Sequence, residues 1–125
     1  MSSREAQNQV SEAVPAAEGK LPPEALAQVA ERFRVLGSTS RLGIVNALMQ
    51  GPRTMAELAA ATGLEQSNLS RHAAELERAG CVRRNRSGRN VIVEIADPSL
   101  FALCDIVCGA LRERADDVRR MFGAA

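Results

Sequence analysis

Aromatic side chains are nearly missing from this chain of 125 residues, which has no Trp or Tyr and only three Phe, 2% in all. Proteins that hold unpaired bases stack them on aromatic rings, so single-strand binding is disfavoured and any nucleic-acid partner is expected to be a duplex. A single histidine, His72, excludes a zinc site built on several imidazoles. Three cysteines, Cys81, Cys104 and Cys108, in a chain without an export signal argue against a disulfide framework and leave free thiols, reactive thiols or metal ligands open. No stretch approaches the ~20 apolar residues of a membrane span. The start of the chain also lacks the basic-then-apolar profile of a secretory leader, so a soluble, cytoplasmic protein with no membrane partner is expected. There is no glycine-rich phosphate loop, and no serine or cysteine stands with a recognisable base and orienting group, so catalysis is not expected.

What is present is aliphatic. Hydrophobic residues make up 46% of the chain, enough for a core of Leu, Val, Ile and Ala, and the length suits one domain with a tail. The net charge is only +1, but it is unevenly spread: Ser38 to Glu94 holds eight Arg against five Glu, while the segments on either side each hold four bases against five acids. The middle of the chain is therefore the part suited to face phosphate. Four of its arginines, Arg83, Arg84, Arg86 and Arg89, fall within seven residues.

Residues 1–22, rich in Ser, Glu, Gln, Ala and Pro without an apolar period, predict a disordered arm; residues 23–122 predict one folded domain. Leu26, Val29, Phe33 and Leu36 recur at helical spacing between Pro22-Pro23 and Gly37 and predict a first helix. Ser38 or Thr39 is placed to cap a second, Arg41 to Gln50, with Leu42, Ile44, Val45 and Leu48 buried. Thr54 with Glu57 three residues on predicts a capping box opening a third helix, and Gly63 supplies the left-handed turn that ends it. The fourth, from about Gln66 to Ala79, carries its apolar stripe on Leu69, Ala73 and Leu76. Val82 to Arg84 and Asn90 to Ile95 predict two strands around a tip at Asn85-Arg86-Ser87-Gly88. A last helix follows Asp97-Pro98 and reaches about Met121.

The third and fourth helices, joined by a tight glycine turn, have the form of a helix-turn-helix, and a basic hairpin after such a pair is a wing. Gln66, Ser67, Asn68, Ser70, Arg71 and His72 crowd the first turns of the fourth helix, where side chains able to bond phosphates and base edges enter a major groove. A merely solvated helix start is the plainer alternative, and His72 is equally suited to packing. Arg83, Arg84, Arg86 and Arg89, with no acid among them, suit phosphate or minor-groove contact, the plainer alternative being a solvated hairpin face. Cys104 and Cys108, four apart, share one face of the last helix. Two thiols at that spacing suit a soft ion, As(III), Cd(II), Pb(II) or Zn(II), or a redox or persulfide signal. They suit equally the packing of an apolar interface. Cys81, just before the first strand, is expected to be buried.

The stretch LGSTSRLGIVNALMQGPRTMAELAAATGLEQSNLSRHAAELERAGCVRRNRSGRNVIVEI, Leu36 to Ile95, resembles the ArsR/SmtB winged-helix repressors. Their "LxxxxRLxIxxxL" helix, "ELAxxxGLxQSxxSxHLxxLxxAGLV" core and glycine-bearing basic wing occur in the same order. The resemblance implies a mainly α (α+β) winged helix-turn-helix in the order α-α-α-α-β-β-α, a homodimer formed by the first and last helices, and an operator of double-stranded DNA with inverted-repeat symmetry. It also implies a repressor that releases DNA when a metal, metalloid or thiol-modifying signal binds. The chain departs from the family in two places: TMAELAAATG lacks the cysteine pair of the arsenic and cadmium sensors, and the last helix lacks the Asp/His and His/Glu set of the zinc sensors. Cys104 and Cys108 are then the remaining inducer site, the alternative being a winged-helix regulator with no inducer.

Overall fold

The computed structural model describes residues 21–123, so all but the last two residues of the expected arm lie outside the described residues. The elements run α1 (Pro23–Leu36), α2 (Thr39–Leu48), β1 (Arg53–Thr54), α3 (Met55–Thr62), α4 (Gln66–Arg78), β2 (Val82–Ser87), β3 (Asn90–Ile95) and α5 (Ser99–Phe122). The described chain falls into two units, one ending at Asp97 and the other beginning at Pro98.

Local chemistry sets the boundaries in the first unit. Pro23 opens α1, where its missing N–H costs nothing because the first helical donors have no partner in the helix. The Ser38 hydroxyl accepts from the Arg41 N–H at 3.3 Å and starts α2. At α3 the predicted box is complete: the Thr54 hydroxyl accepts from the Glu57 N–H at 3.1 Å, and the Glu57 carboxylate accepts from the Thr54 N–H at 2.9 Å. These bonds hold the Glu57 carboxyl below its usual range. We predict that Thr54→Ala lowers stability by about 1 kcal/mol in chemical denaturation. Gly63, at φ 71°, makes the left-handed turn into α4.

The three strands form an antiparallel sheet in the order β1-β3-β2. Its two-residue first strand, unforeseen in the sequence, pairs Arg53 with Val93 and Thr54 with Ile92. The hairpin also differs from expectation: Asn85, Arg86 and Ser87 continue β2, opposite Ile92, Val91 and Asn90, and the turn is Gly88-Arg89, with Gly88 at φ 61°. A two-residue hairpin turn needs a left-handed residue, which Gly88 supplies, so the strands pair to their full length.

Ile44, Val45, Leu48, Leu58, Leu69, Ala73, Leu76, Val82 and Val93 form the core of this unit, joined by Cys81, fully buried as expected. Burial holds the Cys81 thiol above its ordinary pKa. Leu42 departs from expectation, since it is 44% exposed rather than buried. It stands two residues before Ile44, which turns it about 160° around the helix from that core position. On α1 only Val35 and Leu36 are buried, while Leu26, Val29 and Phe33 lie open, Phe33 at 58%.

In the second unit, α5 carries a stripe of Cys104, Val107, Cys108, Leu111 and Val118 at three- and four-residue spacing. Most of it is open, Leu111 at 61%. None of the described helices is long and apolar enough to cross a membrane.

Candidate nucleic-acid interface and thiol pair

Because Leu69, Ala73 and Leu76 bury one side of α4, the opposite side is fixed outward. Ser67, Ser70 and Arg71 stand on that outer side and Gln66 at its exposed start, all solvent-facing. These are the groups that a groove would meet. Asn68 is half-buried and its Oδ1 accepts from Arg71 Nη2 at 3.2 Å, so it orients the guanidinium. His72 is half-buried on the flank of the helix, with Nδ1 3.2 Å from Arg41 Nη1. Burial first, then Arg41 and Arg71, lower its pKa below the ordinary imidazole value.

The wing arginines divide into two kinds. The expectation of four cations free of acids is corrected by two ion pairs. Arg83 Nε donates to Glu94 Oε1 at 2.7 Å, its cross-strand neighbour. Arg84 donates through Nε and Nη2 to Glu77 Oε1 at 3.1 and 2.9 Å, and its N–H donates to Glu77 Oε2 at 3.1 Å. This fork fastens the wing to α4 and pulls the Glu77 carboxyl below its usual range. Arg86 and Arg89, nearest the tip, are exposed and make no hydrogen bond or ion pair among the described residues. They are the wing cations without an acidic partner among the described residues.

Sequence reasoning missed the residues that hold the interface in place. Arg32 on α1 donates to the Ala79 carbonyl at 3.0 Å and to Asp97 Oδ2 at 2.5 Å, tying three separate segments together. Arg34 donates to Glu31 at 2.6 Å and Glu75 at 3.4 Å, linking α1 to α4. Only the Glu31–Arg34 spacing of three on one helix signalled any of this in advance.

On α5, Cys104 is half-buried and Cys108 exposed, both as free thiols. Burial, then Cys108 and Asp105, push the Cys104 thiol up. No group of three or more His, Cys, Asp or Glu stands close enough to hold a metal ion among the described residues. The pair alone supplies two ligands, short of the four of a closed zinc site.

A helix-turn-helix with an outward polar row and a basic wing is the arrangement found in known regulators. The pattern described as "Bacterial regulatory protein, arsR family" matches residues 38–84. The HTH-type transcriptional regulator NmtR of Mycobacterium tuberculosis is 36% identical over 85 residues, covering 68% of this chain and 71% of that protein. The chain belongs to the ArsR family. The HTH-type transcriptional repressor SmtB of the same species is 34% identical over 96 residues, 77% of this chain and 69% of that protein. Among solved structures, the homodimeric winged helix-turn-helix DNA-binding domain of Mb0332 from Mycobacterium bovis, a possible ArsR-family regulator, superposes with a TM-score of 0.66. It is 32% identical and covers 77% of this chain and 94% of that one. This ArsR-family chain is accordingly a winged helix-turn-helix, DNA-binding transcriptional regulator and not an enzyme.

Proposed function

We propose that this ArsR-family regulator is a homodimeric repressor that binds a short inverted-repeat operator and is released by a soft ion at Cys104 and Cys108. The observation that carries the DNA reading is the outward row of Gln66, Ser67, Ser70 and Arg71 on a helix whose other side is locked into the core. In this reading those four side chains reach base edges, while His72 and the unpaired Arg86 and Arg89 hold phosphate. Arg83 and Arg84, engaged by Glu94 and Glu77, contribute to the wing's shape and only secondarily to DNA.

Two open apolar faces support the dimer: Leu26, Val29 and Phe33 on α1, and the stripe of α5. The homodimeric state of Mb0332 points the same way. Cys104 and Cys108 lie within the α5 stripe, so a second copy covering it brings four thiols toward one axis and makes up the ligands that a single chain lacks. Because burial raises the Cys104 thiol, a soft ion binding there must displace its proton, so ion binding should weaken as pH falls. As(III), Cd(II), Pb(II) and Zn(II) are the ions to try.

The test is fluorescence anisotropy with duplex DNA from upstream of the chain's own coding region, with and without each ion. We expect tight binding by the apo protein and release by at least one ion, lost in Cys104→Ser/Cys108→Ser. Binding indifferent to every ion, identical in wild type and double variant, leaves a winged-helix regulator without an inducer. A second measurement addresses the wing: Arg86→Ala and Arg89→Ala should each lower the slope of log K against log salt by about 0.9, on operator and unrelated duplex alike. Arg83→Ala should change it less.

A further inference from the structure

We propose that Arg41 is a positioning residue that fixes the tautomer of His72, so that His72 meets the duplex as a neutral Nε2–H donor to a phosphate oxygen. The proposal rests on the DNA-binding reading above but stands on geometry within a single chain.

Arg41 lies in the first turn of α2, and its guanidinium is held at several points. Nε donates to the Val35 carbonyl and Nη2 donates to the Arg34 carbonyl at 3.4 Å. These are carbonyls at the end of α1 that have no partner within the helix, so Arg41 serves as a cation at that terminus. Its own N–H is taken by Ser38 Oγ. With the rest of the group anchored, Nη1 is directed at His72 Nδ1, 3.2 Å away.

A guanidinium has only donors and stays protonated. Nδ1 must therefore accept, which puts the single ring proton on Nε2, the nitrogen turned away from Arg41. The charged groups around the ring agree. Arg41 from α2 and Arg71 from α4 oppose a second proton, and Glu75 from α4 favours one. Glu75 is itself shared between Arg34 at 3.4 Å and Arg78 at 3.0 Å, which dilutes its effect. The sequence leaves His72 open between contact with DNA and packing; in this geometry it is a directional, uncharged donor. His72 stands on the flank of α4, beside the outer row of Ser67, Ser70 and Arg71, which favours the strand backbone bordering a groove over the base edges within it.

The test begins without DNA. Long-range proton–nitrogen NMR of the full chain should show His72 as the Nε2–H tautomer at neutral pH, and Arg41→Gln should return it toward a tautomer mixture with a higher pKa. A wild-type ring that carries its proton on Nδ1, or is cationic at neutral pH, overturns the proposal even if DNA binding is intact. Absence of binding to any duplex by wild type, with the tautomer as expected, instead counts against the DNA reading. With DNA, Arg41→Gln and His72→Phe should each weaken binding about ten-fold, equally on operator and unrelated duplex. Their double variant should be no weaker than either alone, and Arg41→Lys should recover part of the loss. Additive losses, or a loss confined to the operator, overturn it.

Discussion

Phe33→Glu is expected to yield a folded monomer that no longer holds its operator. The side chain is 58% exposed and lies on the open face of α1 with Leu26 and Val29, so a carboxylate there meets only water in the single chain. Placed between two apolar faces, the same carboxylate is stripped of water, a desolvation cost no apolar neighbour offsets. A dimer on an inverted repeat gains its affinity by binding the second half-site intramolecularly, an advantage of roughly 10²–10⁴. Loss of pairing should therefore weaken operator binding by that factor while circular dichroism keeps its helical signature, and Tm should fall as the stabilisation that dimerisation lends at the same chain concentration is lost. Sedimentation velocity reads the oligomer and anisotropy reads the affinity. A dimeric variant with unchanged binding would remove α1 from the interface.

The second large effect is on stability. Leu69 is 1% exposed and stands between Asn68 and Ser70, so it anchors the turns of α4 that carry the polar row. Leu69→Ala removes most of a fully packed side chain and leaves a void, costing about 2–5 kcal/mol. Small domains have only about 5–15 kcal/mol in total, so the variant should lose a large share of its stability. Urea denaturation should show the midpoint falling without a change in slope. Ser70→Ala, next in sequence but outward, should leave that midpoint nearly unmoved and report only on DNA.

The first three helices were legible because each carried its own punctuation: Pro23, Ser38, Thr54 with Glu57, and Gly63 mark boundaries by local chemistry that spans four residues or fewer. The outer row of α4 was legible for the same reason, since the burial of Leu69, Ala73 and Leu76 dictates which residues oppose them. What stayed hidden depends on register and on distance along the chain. With the tip drawn at Asn85 to Gly88 and the return strand from Asn90, Arg84 would face Asn90 and Glu94 would lie beyond the first strand. The true turn at Gly88-Arg89 instead sets Glu94 against Arg83. Glu77 reaches Arg84 only because α4 packs against β2, and Arg41 reaches His72 across 31 residues. β1 has two residues and no periodicity to read; its existence follows from β3 having an open edge beside it.

Thr54 belongs to both halves of the DNA-binding unit. Its backbone pairs with Ile92 on the wing's return strand, and its hydroxyl caps the helix that leads into the glycine turn. With the Arg84–Glu77 fork as a second fastening, hairpin and insertion helix travel as one piece. In the proposed dimer, an inducer would therefore have little room to work by bending the wing away from its own subunit. It would have to change the pitch between two stiff halves, leaving one half seated on its site while the other falls out of phase with the DNA.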